Sequence, residues 1–523
     1  YNTISSIAES PKNEQLMYIG TDDGFIQITE NGGKTWDATE VKKLPGAPDR
    51  GYINDIKADL FDENTAYLAL DNHKNGDYKP YLYVTTDKGK SWKCIASNIP
   101  ENNYVWRIVQ DHINPNLLFV GTEFGLYFTV DGGENWKQIK SGVPTISFRD
   151  LAIQRRENDL VAASFGRSIY ILDDYSFLRD LTPELVEKDA AMLAMRNAYL
   201  YTPVNDGRGK DGYLGSQEYV AENPEYGAVF TYYLNEEQTL QTAERNKKEK
   251  ELNKAGTNID FAGWDVLLTE KNETKEQHWV VITDDKNKVV RKMQVPSGKG
   301  LHRFTWDFSA ENAMPINIGE KLNENKNGGF RVGPGTYRIA LYYVHQGKAT
   351  PLTTPTSFDV IPLYPGTLPS KNEGVKNTFI AQYVAVSSRK SLLEYDFNQA
   401  KKQASAMELA LKRSPNSLGA LESELVDLNN ELRNLDLLLD GNPLKDEVGE
   451  KNNPTINERI LAASSAMWGG NGYGPTITAQ QSLDIAERML ADFDAKLAVI
   501  KLKAATIYEE LKKSGAPVIR GME

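Results

Sequence analysis

The chain has 523 residues, of which 40% are apolar, and it carries a formal net charge of -12 and a single cysteine, Cys94. This length predicts roughly three domains, and the acidic balance argues against a nucleic-acid partner, because no basic stripe is present to neutralise phosphates. One cysteine excludes an internal disulfide and a thiolate metal cluster, which suits a cytosolic protein and equally a secreted bacterial protein built without bridges.

The first signal along the chain is a polar turn that occurs three times, each time after strand-like runs. Its pattern is Thr-x-Asp/Asn-x-Gly-x-(Ser/Thr/Asn)-Trp, and its key positions are Asn31, Gly33, Trp36; Asp87, Gly89, Trp92; and Asp131, Gly133, Trp136. We expect the Asp or Asn to accept backbone N–H bonds across the turn, the glycine to supply a positive φ and the tryptophan to fill the seam beneath. All nine residues are therefore predicted to be structural.

Residues 1–176 form a repeat array. Successive tryptophans of the turn lie 56 and 44 residues apart, and four short strands per roughly 40–50 residues are typical of a β-propeller blade. The fourth unit lacks the Trp turn, which predicts a terminal blade. At most four blades are present, and an open arc would expose sheet edges and an apolar blade face. Because the chain also begins at Tyr1 rather than Met, we expect the remaining blades to come from a missing N-terminal segment or a companion chain.

A connector and a second β domain come next. Residues 177–225 hold a short helix start, a short strand and a Gly-rich polar stretch, and they are predicted to be a connector. Residues 226–362 contain about seven short strands, which is typical of an immunoglobulin-like β-sandwich. A charge-rich tract over 236–254 predicts a helical or mobile insertion.

From about residue 370 the apolar spacing changes to that of helices. The sequence predicts helices over 379–413, 421–437, 457–467 and 478–513, separated by breaks that contain glycine and proline. Residues 370–523 are therefore predicted to form an antiparallel helical bundle. No run of about 18 or more apolar residues occurs, so no transmembrane segment is expected.

The three turns resemble the Asp boxes, or BNR repeats, of sialidases and of sortilin-type propellers. The segments 118–127 and 166–174 are similar to a group of large bacterial proteins, often from Bacteroidota, labelled as sortilin-like or glycosyl-hydrolase-like. In that group a long propeller precedes an immunoglobulin-like domain and a helical tail, so the resemblance implies that about the first half of the usual protein is absent. The expected fold class is multidomain and mostly β: a partial β-propeller of Asp-box blades, an immunoglobulin-like β-sandwich and a C-terminal α-helical bundle.

Glu123 and Asp173 are possible channel-side acids. Two further acids, Asp55 and Asp150, are the candidates for catalysis. Hydrolysis of a glycosidic bond needs two carboxylates about 5–10 Å apart across that bond, and both residues lie in strands expected to face the propeller channel. A sialidase also needs an arginine cluster to grip the carboxylate of its substrate, and Arg107, Arg149 and Arg167 lie in corresponding parts of the blades. No tyrosine–glutamate nucleophile pair can be identified, and no spacing singles out one pair of acids.

The insertion between the first two Trp turns contains Asp71, His73, Asn75 and Asp77 at alternate positions, with glycine at the sixth. This pattern partly matches a calcium loop, with Asp71, Asn75 and Asp77 as the candidate ligands for Ca²⁺. Position twelve is Leu82 rather than glutamate, which favours a polar insertion between strands and no cofactor. His73, Arg107 and Arg167 are candidates for binding a ligand.

The sequence favours a non-catalytic binding or scaffold component of a cell-envelope assembly, with a protein or peptide as its ligand. It would be secreted, periplasmic or associated with the outer membrane of a bacterium. The alternative is a glycoside hydrolase, similar to sialidases or glucanases, that uses carboxylates of the propeller channel. The enzyme would need convergent acids with a raised pKa, whereas a binding protein would need an exposed apolar or aromatic patch.

Overall fold

Four small antiparallel sheets come first in the chain. The computed structural model describes residues 3–201, 203, 224–235, 240–273, 277–320, 328–345, 347–364, 373–415, 419–468 and 474–522. The first strands are β1 Ile4–Ser10, β2 Asn13–Thr21, β3 Phe25–Thr29, β4 Asp37–Glu40, β5 Tyr52–Ala58, β6 Ala66–Asn72, β7 Asp77–Thr85, β8 Lys93–Cys94, β9 Val105–Gln110, β10 Leu118–Thr122, β11 Gly125–Thr129, β12 Lys137–Ile139, β13 Phe148–Gln154, β14 Asp159–Ser164 and β15 Ile169–Leu172. They pair in chain order as β1–β4, β5–β8, β9–β12 and β13–β15.

The four sheets stack face to face in chain order. The first strands of neighbouring sheets, β1, β5, β9 and β13, lie side by side. A separate apolar cluster fills each of the three gaps between sheets. Side chains that alternate across each strand supply these clusters from both faces of the inner sheets. The sheets are therefore blades around a shared axis, which confirms the prediction of propeller blades for this region.

Each of these first strands carries an irregularity of register near its start. The strands can be aligned at these irregularities. The residues just before the irregularity then occupy equivalent positions, and they are Ile4, Ile53, Val105 and Phe148. The residues at the irregularity are Ser5, Asn54, Trp106 and Arg149, and those after it are Ser6, Asp55, Arg107 and Asp150. A bulge re-aims neighbouring side chains, and here it recurs at the same level in every blade.

The aligned positions show which blade faces are covered. Ile53 is 0% exposed, whereas its counterpart in the first blade, Ile4, is 58% exposed. The next apolar position repeats the difference, because Ile56 is 0% and Ile7 is 61% exposed. We call this uncovered side of the first blade the leading face. The same blade position is thus a core position in the second blade and a surface position in the first.

The fourth blade has an uncovered side as well. Its β15 alternates, with Tyr170 and Leu172 packed on the third blade. Ile169 and Ile171 point the other way and are 60% and 58% exposed. We call this side, on which Asp150 also lies by its pairing with Ala163, the trailing face. The four described blades therefore form an arc with an apolar surface at each end.

The Trp turns connect the outer two strands of the first three blades. Asp87 accepts hydrogen bonds from the amide and the hydroxyl of Ser91 at 2.8 and 2.6 Å, and these bonds, the hydroxyl's first, lower its pKa to about 2. Asp131 and Asn31 accept the equivalent amide bonds at 2.9 Å. The turn glycines, Gly33, Gly89 and Gly133, all have positive φ.

The turns of the second and third blades also pack closely against the preceding blade. A Cβ added to Gly89 would lie 2.1 Å from Ile28 of the first blade. The same atom on Gly133 would lie 2.9 Å from Ile95, next to the second blade, whereas Gly33 meets only its own blade, at 3.6 Å from Trp36. Trp36 is correspondingly 36% exposed, against 8% for Trp92 and 4% for Trp136.

A buried ion pair ties the third blade to the segment that leaves the arc. Asp111 is fully buried after the innermost strand of the third blade. Arg179 donates to both of its oxygens, at 2.8 and 2.7 Å, and the hydroxyl of Tyr175 donates at 2.7 Å. Beyond this point, Arg303 of the second β region donates to the carbonyl oxygens of Asp173 and Asp174. The junction is thus built from charged groups whose partners are fixed.

The second β region takes in part of the predicted connector. Its elements are α1 Pro183–Val186, β16 Ala190–Met192, β17 Ala198–Leu200, β18 Ala228–Leu234, α2 Gln241–Lys254, α3 Trp264–Asn272, β19 Gln277–Thr283, β20 Val289–Val295, β21 Gly300–Trp306, β22 Ser309–Glu311, β23 Gly328–Arg331, β24 Gly335–His345, β25 Lys348–Pro351 and β26 Thr356–Pro362. One sheet has the order β16-β18-β21 and another β17-β26-β24-β19-β20, and the two share one apolar core. Strand pairing therefore begins inside the predicted connector, in strands too short to show a period. The Gly-rich part of that connector, 205–213, lies outside the described residues.

The C-terminal region is helical. Its elements are α4 Glu373–Lys412, α5 Ala420–Asp440, α6 Pro443–Glu447, α7 Ile456–Trp468 and α8 Ile477–Lys513. Apolar side chains spaced three and four residues apart on α4, α5, α7 and α8 meet in one core, where Phe397 packs edge-on against Phe493. Among the described residues, no helix combines the length and apolar character needed to span a membrane.

Candidate functional site: an aromatic platform on the propeller arc

Five aromatic or imidazole rings from three blades meet at one end of the inner strands. We call this group the aromatic platform: His73 from the short helical turn after β6, Tyr78 on β7, Tyr104 and Trp106 at the start of β9, and Phe165 after β14. The platform lies where the loops between second and third strands meet the loops that enter the inner strands. Both kinds of loop occur on the same side of a blade, so the platform belongs to one face of the arc.

Four of the five rings contact one another around Tyr104. His73 stacks on Tyr104 with centroids 5.0 Å apart, and Tyr104 meets Trp106 edge-on at 5.1 Å. Tyr78 lies 6.4 Å from Tyr104. Such offset and edge-to-face pairs are the favoured geometries of aromatic rings. Tyr78 and Phe165 are 52% and 69% exposed, so the cluster has a buried base and an exposed rim.

An arginine lies between two of these rings. The guanidinium carbon of Arg149 is 3.5 Å from the centroid of Trp106 and 4.8 Å from that of Phe165. Its Nε donates to the hydroxyl of Ser147 at 2.9 Å, which fixes the plane of the group. Trp106 donates its indole N–H to Glu123 at 2.9 Å. Burial, followed by a hydrogen bond with the same Glu123, raises the pKa of Tyr104.

His73 is held by a buried carboxylate. Asp71 is 3% exposed, and it accepts hydrogen bonds from the backbone N–H of His73, at 3.1 Å, and from Nδ1 of the same ring. The imidazole is thus fixed in orientation, stacked on Tyr104 and bonded through Nδ1. A histidine held this way presents Nε2 at its other edge. Of the sequence candidates, the structure places His73 in the platform and Arg149 against its rings.

The other channel candidates belong to a polar ladder that crosses the blades. Asp55 of the second blade contacts Arg107 of the third at 3.6 Å, and Arg107 Nε donates to Asp150 of the fourth at 3.2 Å. At the other end, the hydroxyl of Ser6 lies 3.5 Å from Asp55. A backbone group also contributes to the ladder, since the N–H of Ile108 donates to Asp55 at 3.1 Å. The four side chains occupy the position after the bulge in each blade, so the ladder repeats with the blades.

Asp55 is almost entirely removed from solvent, with 1% exposure. Burial raises the pKa of Asp55, and the positive charges of Lys57 and Arg107 oppose this rise. The structure thus brings Asp55 and Asp150 to the same arginine. Arg107 and Arg149 contact different groups, one in the ladder and one in the platform, and Arg167 is exposed in the turn after Phe165.

The candidate calcium ligands each face other side chains. Asp77 accepts from Tyr81 at 2.6 Å and from Asn72 at 3.2 Å, while Asn75 donates to Asn72 at 2.6 Å. Asp71 is bonded to the ring of His73. Over the described residues, no group of three or more His, Cys, Asp or Glu side chains is placed to hold a metal ion.

Sequence reasoning names Glu123 only as a possible channel-side acid, and it does not place Tyr104, Trp106 or Phe165 in a site. Trp106 and Arg149 are both bulge residues of aligned inner strands, and this alignment is the one signal in the sequence that could pair them. The contacts of His73 and Phe165 with them depend on how neighbouring blades pack, which no local pattern encodes.

No protein-family model and no curated protein matches the chain. Among solved structures, it is similar to YCF48 bound to D1 peptide, with 18% identity and a TM-score of 0.26 over 33% of this chain and 52% of that chain. It is also similar to the GH74 xyloglucanase from Xanthomonas campestris, with 14% identity and a TM-score of 0.26 over 33% of this chain and 31% of that chain. The YCF48 from Cyanidioschyzon merolae gives 16% identity and a TM-score of 0.25 over 33% of this chain and 53% of that chain. The chain thus spans about half or less of these structures, and similarities this slight carry no argument about what it binds.

Proposed function

We propose that this chain is a non-catalytic binding protein whose aromatic platform holds an extended peptide or a segment of a protein. The observation that carries the proposal is the platform itself, in which the exposed rings of Phe165 and Tyr78 lie beside buried Tyr104 and half-buried Trp106. Exposed aromatic patches with a few fixed polar groups mark binding surfaces, because rigid rings bury a large area at little entropic cost. Arg149, Glu123 and His73 supply the polar groups.

The environment of the two candidate acids supports binding over hydrolysis. A glycosidase needs two carboxylates that reach the scissile bond from opposite sides. Asp55 is buried and faces Arg107, and Asp150 accepts a hydrogen bond from that same arginine. Because Asp55 is enclosed in this way, its carboxylate cannot reach a sugar. Asp55→Ala and Asp150→Ala, tested with a glycan-release assay, separate the two functions, since turnover by the wild type that either change abolishes would overturn the binding proposal.

The open ends of the arc support a proposal about architecture. Further propeller blades, from polypeptide outside residues 1–523 or from a companion chain, would cover the leading and trailing faces. The argument is continuity with the blade contacts already present: Ile53 and Ile56 are covered by the first blade, and Ile4 and Ile7 present the same surface to solvent. Covering an isoleucine side chain stabilises by about 1.5–3 kcal/mol, so several such positions provide a strong association.

The polar ladder indicates what a covering blade would supply. Within the arc, the residue after the bulge accepts a backbone N–H from the next blade, as Ile56 N–H donates to Ser6 at 3.0 Å and Ile108 N–H to Asp55. Asp150 ends the ladder with a carboxylate whose side chain is 68% exposed. A blade on the trailing face would therefore bring a backbone or side-chain donor to Asp150.

The remaining regions fit a scaffold role. The two sheets that share a core would be an immunoglobulin-like spacer, and the helices with their common core would be a bundle used for docking. Both assignments, the sortilin-like character of the blades and a place outside the bacterial cytoplasm remain proposals. Their support is the order of the regions, arc then paired sheets then helices, which agrees with the family that the sequence resembles.

A selection experiment tests the binding function. A phage library of random 12-residue peptides would be selected on the intact chain, and selected peptides would be synthesised for fluorescence anisotropy. We expect peptides whose affinity falls about tenfold or more with Trp106→Ala, as for a buried aromatic anchor. Trp264→Ala is the matched control, because Trp264 is 78% exposed on α3 of the second β region. Selected peptides that bind both variants as well as wild type would contradict the proposal.

A further inference from the structure

We infer that Arg149 forms a carboxylate-binding subsite within the platform, so that the ligand is an acidic peptide. This inference rests on the proposed function and names the chemistry that the same site recognises. It starts from the placement of a guanidinium at an exposed rim, where its carbon lies 3.5 Å from the ring centroid of Trp106 and 4.8 Å from that of Phe165. Stacking on rings leaves the edge of a guanidinium, where its N–H groups lie, available for hydrogen bonds in its plane.

The hydrogen bonds of Arg149 are incomplete within the described part of the chain. Its Nε is bonded to Ser147, and Nη2 forms a long ion pair with Glu123 at 3.8 Å, a distance beyond that of a hydrogen bond. The hydrogen bonds of Glu123 are with the indole of Trp106, at 2.9 Å, and with Tyr104. The N–H groups of the two terminal nitrogens are therefore available to donate to a ligand, and the side chain is 39% exposed.

The geometry of the donors selects a carboxylate. A guanidinium edge offers two parallel N–H groups, which match the two oxygens of a carboxylate in a bidentate pair. The bond from Nε to Ser147 and the stack on Trp106 and Phe165 fix the plane before a ligand arrives, so little side-chain entropy is lost on binding. The neighbouring rings suit apolar or aromatic residues beside the acid. A peptide with an acidic residue between aromatic residues fits all of these groups.

Two sources of carboxylate are available in a peptide, a side chain and the C-terminus. Three probes that carry an uncharged fluorophore distinguish them: Gly-Phe-Asp-Phe-Gly amide, its Asn analogue as the amide, and the Asn analogue with a free C-terminal carboxylate. Binding is measured by fluorescence anisotropy with the full chain at concentrations up to about 1 mM, where affinities of weak single subsites fall. A trisaccharide that contains glucuronic acid serves as a competitor of a different class.

We expect at least one carboxylate probe to bind about tenfold or more tightly than the neutral amide, which is the range for a hydrogen bond to a charged group. Arg149→Gln should remove that preference, and Arg149→Lys should restore it only in part because lysine lacks the paired donors. Arg156→Gln is the control, since Arg156 lies in the turn between β13 and β14, at the other end of the same blade, and its side chain is 78% exposed. Circular dichroism of each variant shows whether it is folded.

Four results would overturn the subsite. Equal binding of the acidic and neutral probes would do so while leaving the peptide-binding function intact, as would a carboxylate preference that survives Arg149→Gln. Displacement of the probes by the trisaccharide at lower concentration than by unlabelled acidic peptide would assign the subsite to a glycan instead. Absence of binding by every probe would overturn it too, and failure of the library selection as well would remove the proposed function with it.

Discussion

The guanidinium carbon of Arg149 lies 3.5 Å from the ring centroid of Trp106, although the two residues belong to different blades. This contact joins the third and fourth blades at the level of their bulges. A double-mutant cycle with Arg149→Gln and Trp106→Leu should give a coupling energy of about 1 kcal/mol in urea unfolding, as for a partly buried cation–π pair. The same cycle between Arg149 and Trp279, which lies in the second β region, should give no coupling. Equal coupling energies in both cycles would show that the coupling does not arise from the contact between Arg149 and Trp106.

The turn glycines provide a matched pair. Gly33→Ala and Gly89→Ala both place a side chain at positive φ, at +86° and +80°, which costs roughly 1–2 kcal/mol. Only Gly89→Ala also brings a methyl group to 2.1 Å from Cδ1 of Ile28 of the preceding blade, so the end of that side chain must rotate away, which adds about 0.5–1.5 kcal/mol. Urea unfolding should therefore rank Gly89→Ala as the more destabilising change. If the two variants lost equal stability, the turn at Gly33 would also be packed against a neighbouring blade.

The buried ion pair at the junction should be sensitive to loss of its charge. Asp111→Asn leaves the guanidinium of Arg179, which is only 14% exposed, without its counter-charge, and breaking a buried pair costs about 3–5 kcal/mol. Asp492→Asn breaks the exposed pair with Lys496 on α8 and should cost less than about 1 kcal/mol. Thermal unfolding of both variants beside wild type measures the difference. A small loss with Asp111→Asn would contradict the structural role of this pair.

The same carboxylate predicts a pH dependence. Burial raises the pKa of Asp111, but the bonds from Arg179 and Tyr175 outweigh burial, so its pKa is lowered in the folded chain. The unfolded pKa is about 3.9. The stabilisation is therefore fully present above that value and is lost as pH falls through the folded pKa. The stability difference between wild type and Asp111→Asn should shrink below about pH 4, and a constant difference down to about pH 2 would contradict this assignment.

The blades can be predicted from sequence because each carries its own local signals. The turn of Asp87, Gly89 and Trp92 combines a positive-φ glycine with an acid that caps the turn, and such chemistry is independent of the rest of the fold. The long helices are equally predictable, since α8 keeps an apolar face over its whole length. Short strands such as β16 and β17 are not, because three residues show no period and their pairing is set by distant strands.

The platform shows where prediction from sequence stops. The polar insertion singles out His73, but the stacking of His73 on Tyr104 depends on how the second and third blades pack. Strand position makes Asp55 and Asp150 candidate channel acids, yet no pattern indicates that Arg107 lies between them. Blade position alone also groups Arg149 with Arg107, whereas the bulge sends Arg149 into the platform and Arg107 into the ladder. Contacts between blades, rather than residue types, decide each of these roles.

The central claim is that residues 1–176 are an arc of blades with apolar faces at both ends. Sedimentation of the purified 523-residue chain over a range of concentrations tests it most directly. With its leading and trailing faces uncovered, the chain should associate beyond its mass of 58.6 kDa, and Ile7→Lys with Ile171→Lys should return it to that mass. A wild-type chain that stays a monodisperse monomer at every concentration would contradict the claim.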